Sequence, residues 1–178
     1  VKDCSAIIPL LTLARKLEKF SISQQWNVSI TSISDYENAE KLSEQLANMD
    51  IQTSIKPFYN GENLAFFEDN IFSDEEYFLA AALDSQAIFA LQALNTHDFG
   101  KITILTNGKI YANVNREPVG NIDEPIGKAL CRELESGISW RRTRYHMDPC
   151  RQCRFRLLCP SPSNYELVIG KPNLCHIK

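Results

Sequence analysis

Four cysteines, Cys150, Cys153, Cys159 and Cys175, fall within the last quarter of this 178-residue chain. No other feature narrows its folding options as much. Cys150-Arg151-Gln152-Cys153 is a C-x2-C pair, a spacing that lets two sulfurs reach one metal centre, and Cys159 follows after five residues. Four thiolates satisfy a tetrahedral zinc ion or the four irons of a [4Fe-4S] cluster equally well, so ligand count alone does not name the metal. Their softness argues against calcium and magnesium. Pro160 directly after Cys159 matches the Cys-Pro ending of ferredoxin runs, and the second C-x2-C pair of a zinc ribbon is missing. Both points favour iron and sulfur over zinc.

The alternative for clustered cysteines is a disulfide framework, which belongs to oxidising compartments. The start VKDCSAIIPLLTLARKLEKF is broken by Pro9 and by charges, and no run of eighteen apolar residues occurs. It reads neither as a signal peptide nor as a membrane span. A cytoplasmic location, reduced thiols and metal ligation are therefore expected. A chain opening on Val1 without an evident domain start also reads as a piece of something longer.

The net charge of -3 conceals an asymmetry. Residues 132–178 hold nine Lys or Arg against four acids, while ten basic residues face eighteen acids before them. A basic tail suits nucleic acid, and it equally suits thiolates and a negatively charged cluster. Arg151, Arg154 and Arg156 stand among the cysteines, where positive charge would lower thiol pKa values. His146 and His176 flank the set and read as surface residues, since four cysteines already complete it.

The body of the chain reads as α/β (α+β). Residues 9–20 carry apolar positions at helical spacing, and 28–33 alternate as a strand. Ser34-Asp35-Tyr36-Glu37 resembles a capping box that opens a helix with Ala39, Leu42, Leu46 and Met49 on its buried face. A strand at 51–55 completes a βαβ unit, which requires parallel pairing. Phe58, Tyr59 and Asn63 follow at a strand's carboxyl end, where ligand contacts occur in α/β proteins, although packing is the plainer reading. Ser73-Asp74-Glu75-Glu76 starts another helix. Asn107-Gly108 between 101–106 and 109–114 predicts a hairpin. Asp123, with Pro125 just inside, predicts a helix bearing Ile126, Leu130 and Leu134 and ending at Gly137, with Cys131 as a buried free thiol. Cys4 has no readable role.

The run PCRQCRFRLLCPSPSNYE, preceded by the hairpin ILTNGKIYANVN, a glycine, a helix and Trp140, resembles the SPASM domain, the auxiliary-cluster extension of radical SAM peptide maturases. The stretch WNVSITSISDYENAEKLSEQLANMDIQTSIKPFYNGEN is similar to the last βαβ portion of their partial TIM barrel. The resemblance covers about residue 26 to the end and implies two domains: 1–100 as the end of the barrel, 101–178 as the SPASM-like cluster domain. The family pattern holds two auxiliary [4Fe-4S] clusters. Here Tyr111-Ala112-Asn113, Pro125 and Ser163 stand where ligands of the inner cluster are expected, while Gly120 matches the family's glycine. The resemblance thus implies one cluster, on Cys150, Cys153, Cys159 and Cys175.

It further implies a role in ribosomal peptide maturation, with a precursor peptide and a partner maturase as binding partners. The C-x3-C-x2-C motif that holds S-adenosylmethionine and the catalytic cluster lies outside this sequence, so no activity is expected of the chain alone and no catalytic residue is assigned. A pseudo-radical-SAM protein that only binds peptide, or a structural Cys4 zinc module, are the alternatives. Neither a membrane nor nucleic acid is expected as a partner.

Overall fold

The computed structural model describes residues 7–177, so Cys4 lies outside the described residues. The chain mixes helices and strands and divides into two compact units, Val1–Ile71 and Phe72–Lys178. Residues 72–100, expected with the first domain, belong to the second unit. Among the described residues no helix is long and apolar enough to cross a membrane.

In the first unit, helix α1 (Ile7–Glu18) turns Ile7 and Ala14 inward, with Leu10 and Leu11 partly buried beside them. Pro9 sits in its first turn, where an absent N–H costs no helical hydrogen bond. Strand β1 (Gln25–Ile30) starts three residues earlier than the alternation suggests. It buries Val28 and Ile30, with Trp26 half-buried on the same face, as the two-residue side-chain period of a strand requires. Helix α2 (Ile33–Ala47) is capped by Ser32, not Ser34: the Ser32 Oγ accepts from the Asp35 N–H. Ser34 therefore lies inside the helix, and the cap is a single hydrogen bond at Ser32, because the Asp35 carboxylate turns to the Thr31 N–H and hydroxyl. Ala39, Leu42 and Leu46 are buried and Met49 is partly buried against them, as the spacing predicts.

Strand β2 (Gln52–Pro57) pairs with β1 in parallel, from Gln25 opposite Gln52 to Ile30 opposite Pro57. This is the βαβ unit read from the sequence. Beyond it, Asn63 holds the loop together and is not free for a ligand. Its Nδ2 donates to Thr31 O and Phe58 O, its Oδ1 accepts from Asn60 N. Tyr59 packs edge-on against Phe67 of α3 (Leu64–Asn70), so the packing role holds for that aromatic, while Phe58 is exposed.

The second unit begins with α4 (Glu75–Leu79), capped by Asp74, and α5 (Ser85–Ala93), capped by Asp84. The Asn107-Gly108 turn forms as predicted, with Gly108 at φ 78°, but its strands β3 (Thr103–Ile104) and β4 (Lys109–Tyr111) are short. A third strand, β5 (Gly120–Asn121), joins them antiparallel. Helix α6 (Ile126–Ser136) ends at Gly137 in the left-handed region, φ 61°, where glycine has no Cβ to clash.

Of the expected apolar stripe of α6 only Leu130 is half-buried. Ile126 and Leu134 are exposed, and the buried positions are Ala129 and Glu133. The reason is Glu133, whose Oε1 accepts the N–H groups of Ser139 and Trp140 at 2.7 Å each and so anchors the chain that follows. With that face inward, Cys131 points out. It is exposed, not the buried thiol expected. Helix α7 (Asn164–Ile169) carries a full capping box, Ser163 with Glu166.

Candidate metal centre

The cysteines sit on short turns. Asp148-Pro149 is a cis peptide, and Cys150–Gln152 forms one 3-10 turn after it. The Cys153 N–H donates to Cys150 O at 3.0 Å, closing the C-x2-C turn. Cys153 Sγ accepts the Phe155 N–H at 3.4 Å, and the Cys159 N–H donates to Phe155 O. Phe155 is buried and stacks on Phe78 with ring centroids 5.6 Å apart, which ties the loop to α4. Cys175 is brought back by a bridge to Ser73: Ser73 N–H donates to Leu174 O and His176 N–H to Ser73 O, both at 3.0 Å.

Arg144 connects these pieces. Its Nε donates to Pro160 O at 3.0 Å, its Nη1 to Pro172 O at 3.2 Å and toward Cys150 Sγ at 4.0 Å, its Nη2 to Glu166 Oε1 at 2.5 Å. Pro160 adjoins Cys159 and Pro172 lies three residues before Cys175, so one guanidinium gathers the segments that carry three of the four thiols. Asn173 Nδ2 adds a second donor to Cys150 Sγ at 3.8 Å. Burial opposes the charge of Arg144, but the neighbouring Cys159, Glu166 and Cys150 outweigh it and hold its pKa above the usual value.

Burial pushes the Cys159 thiol up to about 11, against the pull of Arg144 and together with the charges of Cys150 and Cys175. Cys175 is raised by burial too, and by Cys150 and Cys153. Cys175 thus stands within range of the charge of Cys150, Cys153 and Cys159. Even so, among the described residues no group of three or more His, Cys, Asp or Glu side chains converges as a ligand set for a metal ion. The donor chemistry fits a thiolate-bound centre: soft sulfurs, N–H groups aimed at two of them, and a buried cation to offset the excess negative charge that four thiolates place around a metal. The convergence needed for a closed site is not built by the side chains as they stand.

The three arginines singled out in the sequence serve elsewhere. Arg154 pairs with Glu75 at 2.6 Å, Arg151 with Asp148 at 2.5 Å, and Arg156 donates to Arg151 O and lies over the Tyr145 ring. All three are exposed. His146 and His176 are exposed, the latter against the Phe72 ring. Ala112 is buried beside the hairpin, Pro125 precedes α6, and Ser163 caps α7, each with a structural role at a position where the resemblance expects a ligand. Sequence reasoning missed Arg144 and Glu166. Their charge is no different from that of their neighbours, and only the fold reveals which arginine is buried. No protein-family model, curated protein or solved structure matches the chain.

Proposed function

We propose that the second unit is a thiolate metal domain of SPASM type, holding one auxiliary [4Fe-4S] cluster on Cys150, Cys153, Cys159 and Cys175, and that the first unit is the end of a partial TIM barrel. In this reading the chain serves a radical SAM or pseudo-radical-SAM protein of peptide maturation, with a precursor peptide as partner. The observation that carries it is Arg144, buried and bonded at once toward Cys150, Pro160 and Pro172, which draws the cysteine-bearing segments together around a positive charge. When bound, such a cluster supplies one-electron transfer or a rigid structural centre; with cysteine on every iron it leaves no position for substrate. The chain's own part is to orient the thiols, through the Phe155 N–H on Cys153 and Asn173 on Cys150, and to bury Cys159.

Anaerobic purification followed by iron and sulfide analysis and an absorption spectrum tests the reading. Iron with matching sulfide and a broad band at about 400 nm is the expected result. Cys153→Ala should abolish both and lower the melting temperature. Unchanged metal content and melting temperature in that variant would remove the site. Zinc alone under anaerobic conditions would replace the cluster by a structural Cys4 module.

A further inference from the structure

An open pocket of about 470 Å³ lies at the carboxyl end of α6, its far wall formed by His146 and Met147 of the segment that leads into Cys150. Its wall includes Arg116, Arg141, Arg142 and His146, with Ile138 and Met147 as the apolar part, and no acidic side chain lines it. Its size suits a small ligand or a short side chain, since binding cavities run from roughly 300 to 1,000 Å³.

The arginines differ in how far the chain already occupies them. Arg142 is 8% exposed, and its Nη2 donates to Pro162 O and Ser163 O at 2.9 Å each. Its Nε is buried without a partner among the described residues. A buried N–H that lacks an acceptor is a standing cost. Asp98 and Glu166 face Arg142 with opposite charge, while Arg116 and Arg144 add like charge. Glu166 is shared with Arg144. Arg141 spends one Nη on Leu134 O, a carbonyl of the last turn of α6. Arg116 is exposed and has no side-chain partner among the described residues. The C-terminal end of a helix repels anions weakly, but here Gly137 N–H covers Glu133 O and Arg141 covers Leu134 O, so the guanidinium charge prevails.

We infer that this cavity is a binding site for a carboxylate carried on a short apolar stem, the chemistry of a glutamate side chain, with Arg116, Arg141 and Arg142 as its cationic wall and Ile138 and Met147 beside the stem. Guanidinium groups match planar carboxylates through paired N–H donors, which an ammonium does not. The stem explains why a site with three arginines also keeps an exposed isoleucine, at 57%. This site needs neither the metal nor the peptide-maturation reading. The acid can arrive free or as part of a peptide.

Calorimetric titration of the 178-residue chain with glutarate, with a capped glutamate-containing tripeptide, and with the neutral glutaramide and glutamine counterparts tests it. Both acids are expected to bind and both amides to fail. Tighter binding of the tripeptide would identify the source as peptide, and equal binding a free acid. Arg116→Gln, at an exposed position that the fold does not use, should weaken the acids about 3- to 5-fold. Ile138→Glu should abolish binding, while Lys109→Gln, outside the cavity, should leave it unchanged. Amides that bind as well as acids, no heat with either acid at about 10 mM, or equal loss in the Lys109 and Arg116 variants would each overturn the assignment.

Discussion

Arg144 and Glu166 form an ion pair of 2.5 Å with both side chains buried, 7% and 3% exposed. Glu166 uses its second oxygen on Ser163 N and Oγ at the start of α7, so the pair joins the helix cap to the cysteine loop. Removing one partner of a buried pair strands the other charge, at a cost of about 3–5 kcal/mol. Arg144→Leu should therefore lose stability on that scale in urea unfolding. In the Arg144→Leu background, Glu166→Gln should recover part of the loss, because the stranded charge is gone and the amide oxygen can still accept from Ser163. A double variant less stable than the single one would show that the pair does not act through charge.

Part of this architecture was legible in the sequence, for identifiable reasons. The βαβ unit carries both periods cleanly: Val28 and Ile30 two apart, Ala39, Leu42 and Leu46 at helical spacing. The Asn107-Gly108 turn and the Gly137 stop follow from backbone conformation, which glycine declares locally. Helix α6 misled because Ile126 and Leu134 of its apolar stripe are exposed, and its inward face carries Glu133, whose partners Ser139 and Trp140 lie beyond the helix. Capping at Ser32 rather than Ser34 was a choice between two serines that only the Asp35 contact decides. The spacing of Cys150, Cys153, Cys159 and Cys175 marked the candidate centre, yet which arginine stands behind it depends on contacts to Pro160, Glu166 and Pro172, sixteen to twenty-eight residues away in the chain.

In the first unit, Asp35 Oδ2 accepts from Thr31 Oγ1 at 2.6 Å and from Thr31 N at 3.0 Å. The Thr31 hydroxyl does most to hold its pKa below the usual 3.8, burial opposes this, and the Thr31 N–H and the Ser32 hydroxyl add to the lowering. A carboxylate whose pKa is lower folded than unfolded contributes stability above its unfolded value, and the contribution fades as pH falls toward the folded one. Unfolding of the first unit, followed by Trp26 fluorescence, should thus show a stability loss beginning below about pH 5. Asp35→Asn should flatten that dependence. Asp35→Ala should cost about 2 kcal/mol at pH 7, the scale of hydrogen bonds to a charged group.

Cys131 is exposed, whereas Cys150 is buried and burial raises Cys159 to about 11. Alkylation follows the thiolate and its access, so at pH 8 only about one Cys159 in a thousand is reactive without metal. Iodoacetamide labelling read peptide by peptide should therefore mark Cys131 well before Cys150 and Cys159, with or without bound metal. Chelation should accelerate Cys153 more than Cys131. Raising the pH toward 11 should speed Cys159 in the metal-free protein, since its thiol then loses its proton. Equal rates at Cys131 and Cys159 at pH 8 would contradict the burial that sets this order.

Gly120, the one position of the hairpin-to-helix stretch that keeps the residue expected from the resemblance, has a steric reason to be glycine. It pairs with Ile110 in the ladder, and a Cβ there would lie 2.9 Å from the Ala129 Cβ and 2.7 Å from Glu124 Oε1. Glu124 is a flexible side chain that can move, although it is held by Arg132. Ala129 is fully buried with a methyl group that has no rotamer to change, so the backbone of β5 or α6 must shift instead. Overpacking of this kind costs about 1–3 kcal/mol. Gly120→Ala should lower the stability of the second unit by that amount in urea unfolding. The combined Gly120→Ala, Ala129→Gly variant should recover the steric part, less about 1 kcal/mol for glycine inside a helix. If Gly120→Ala proves neutral, the close approach of β5 to α6 is looser than the structure has it.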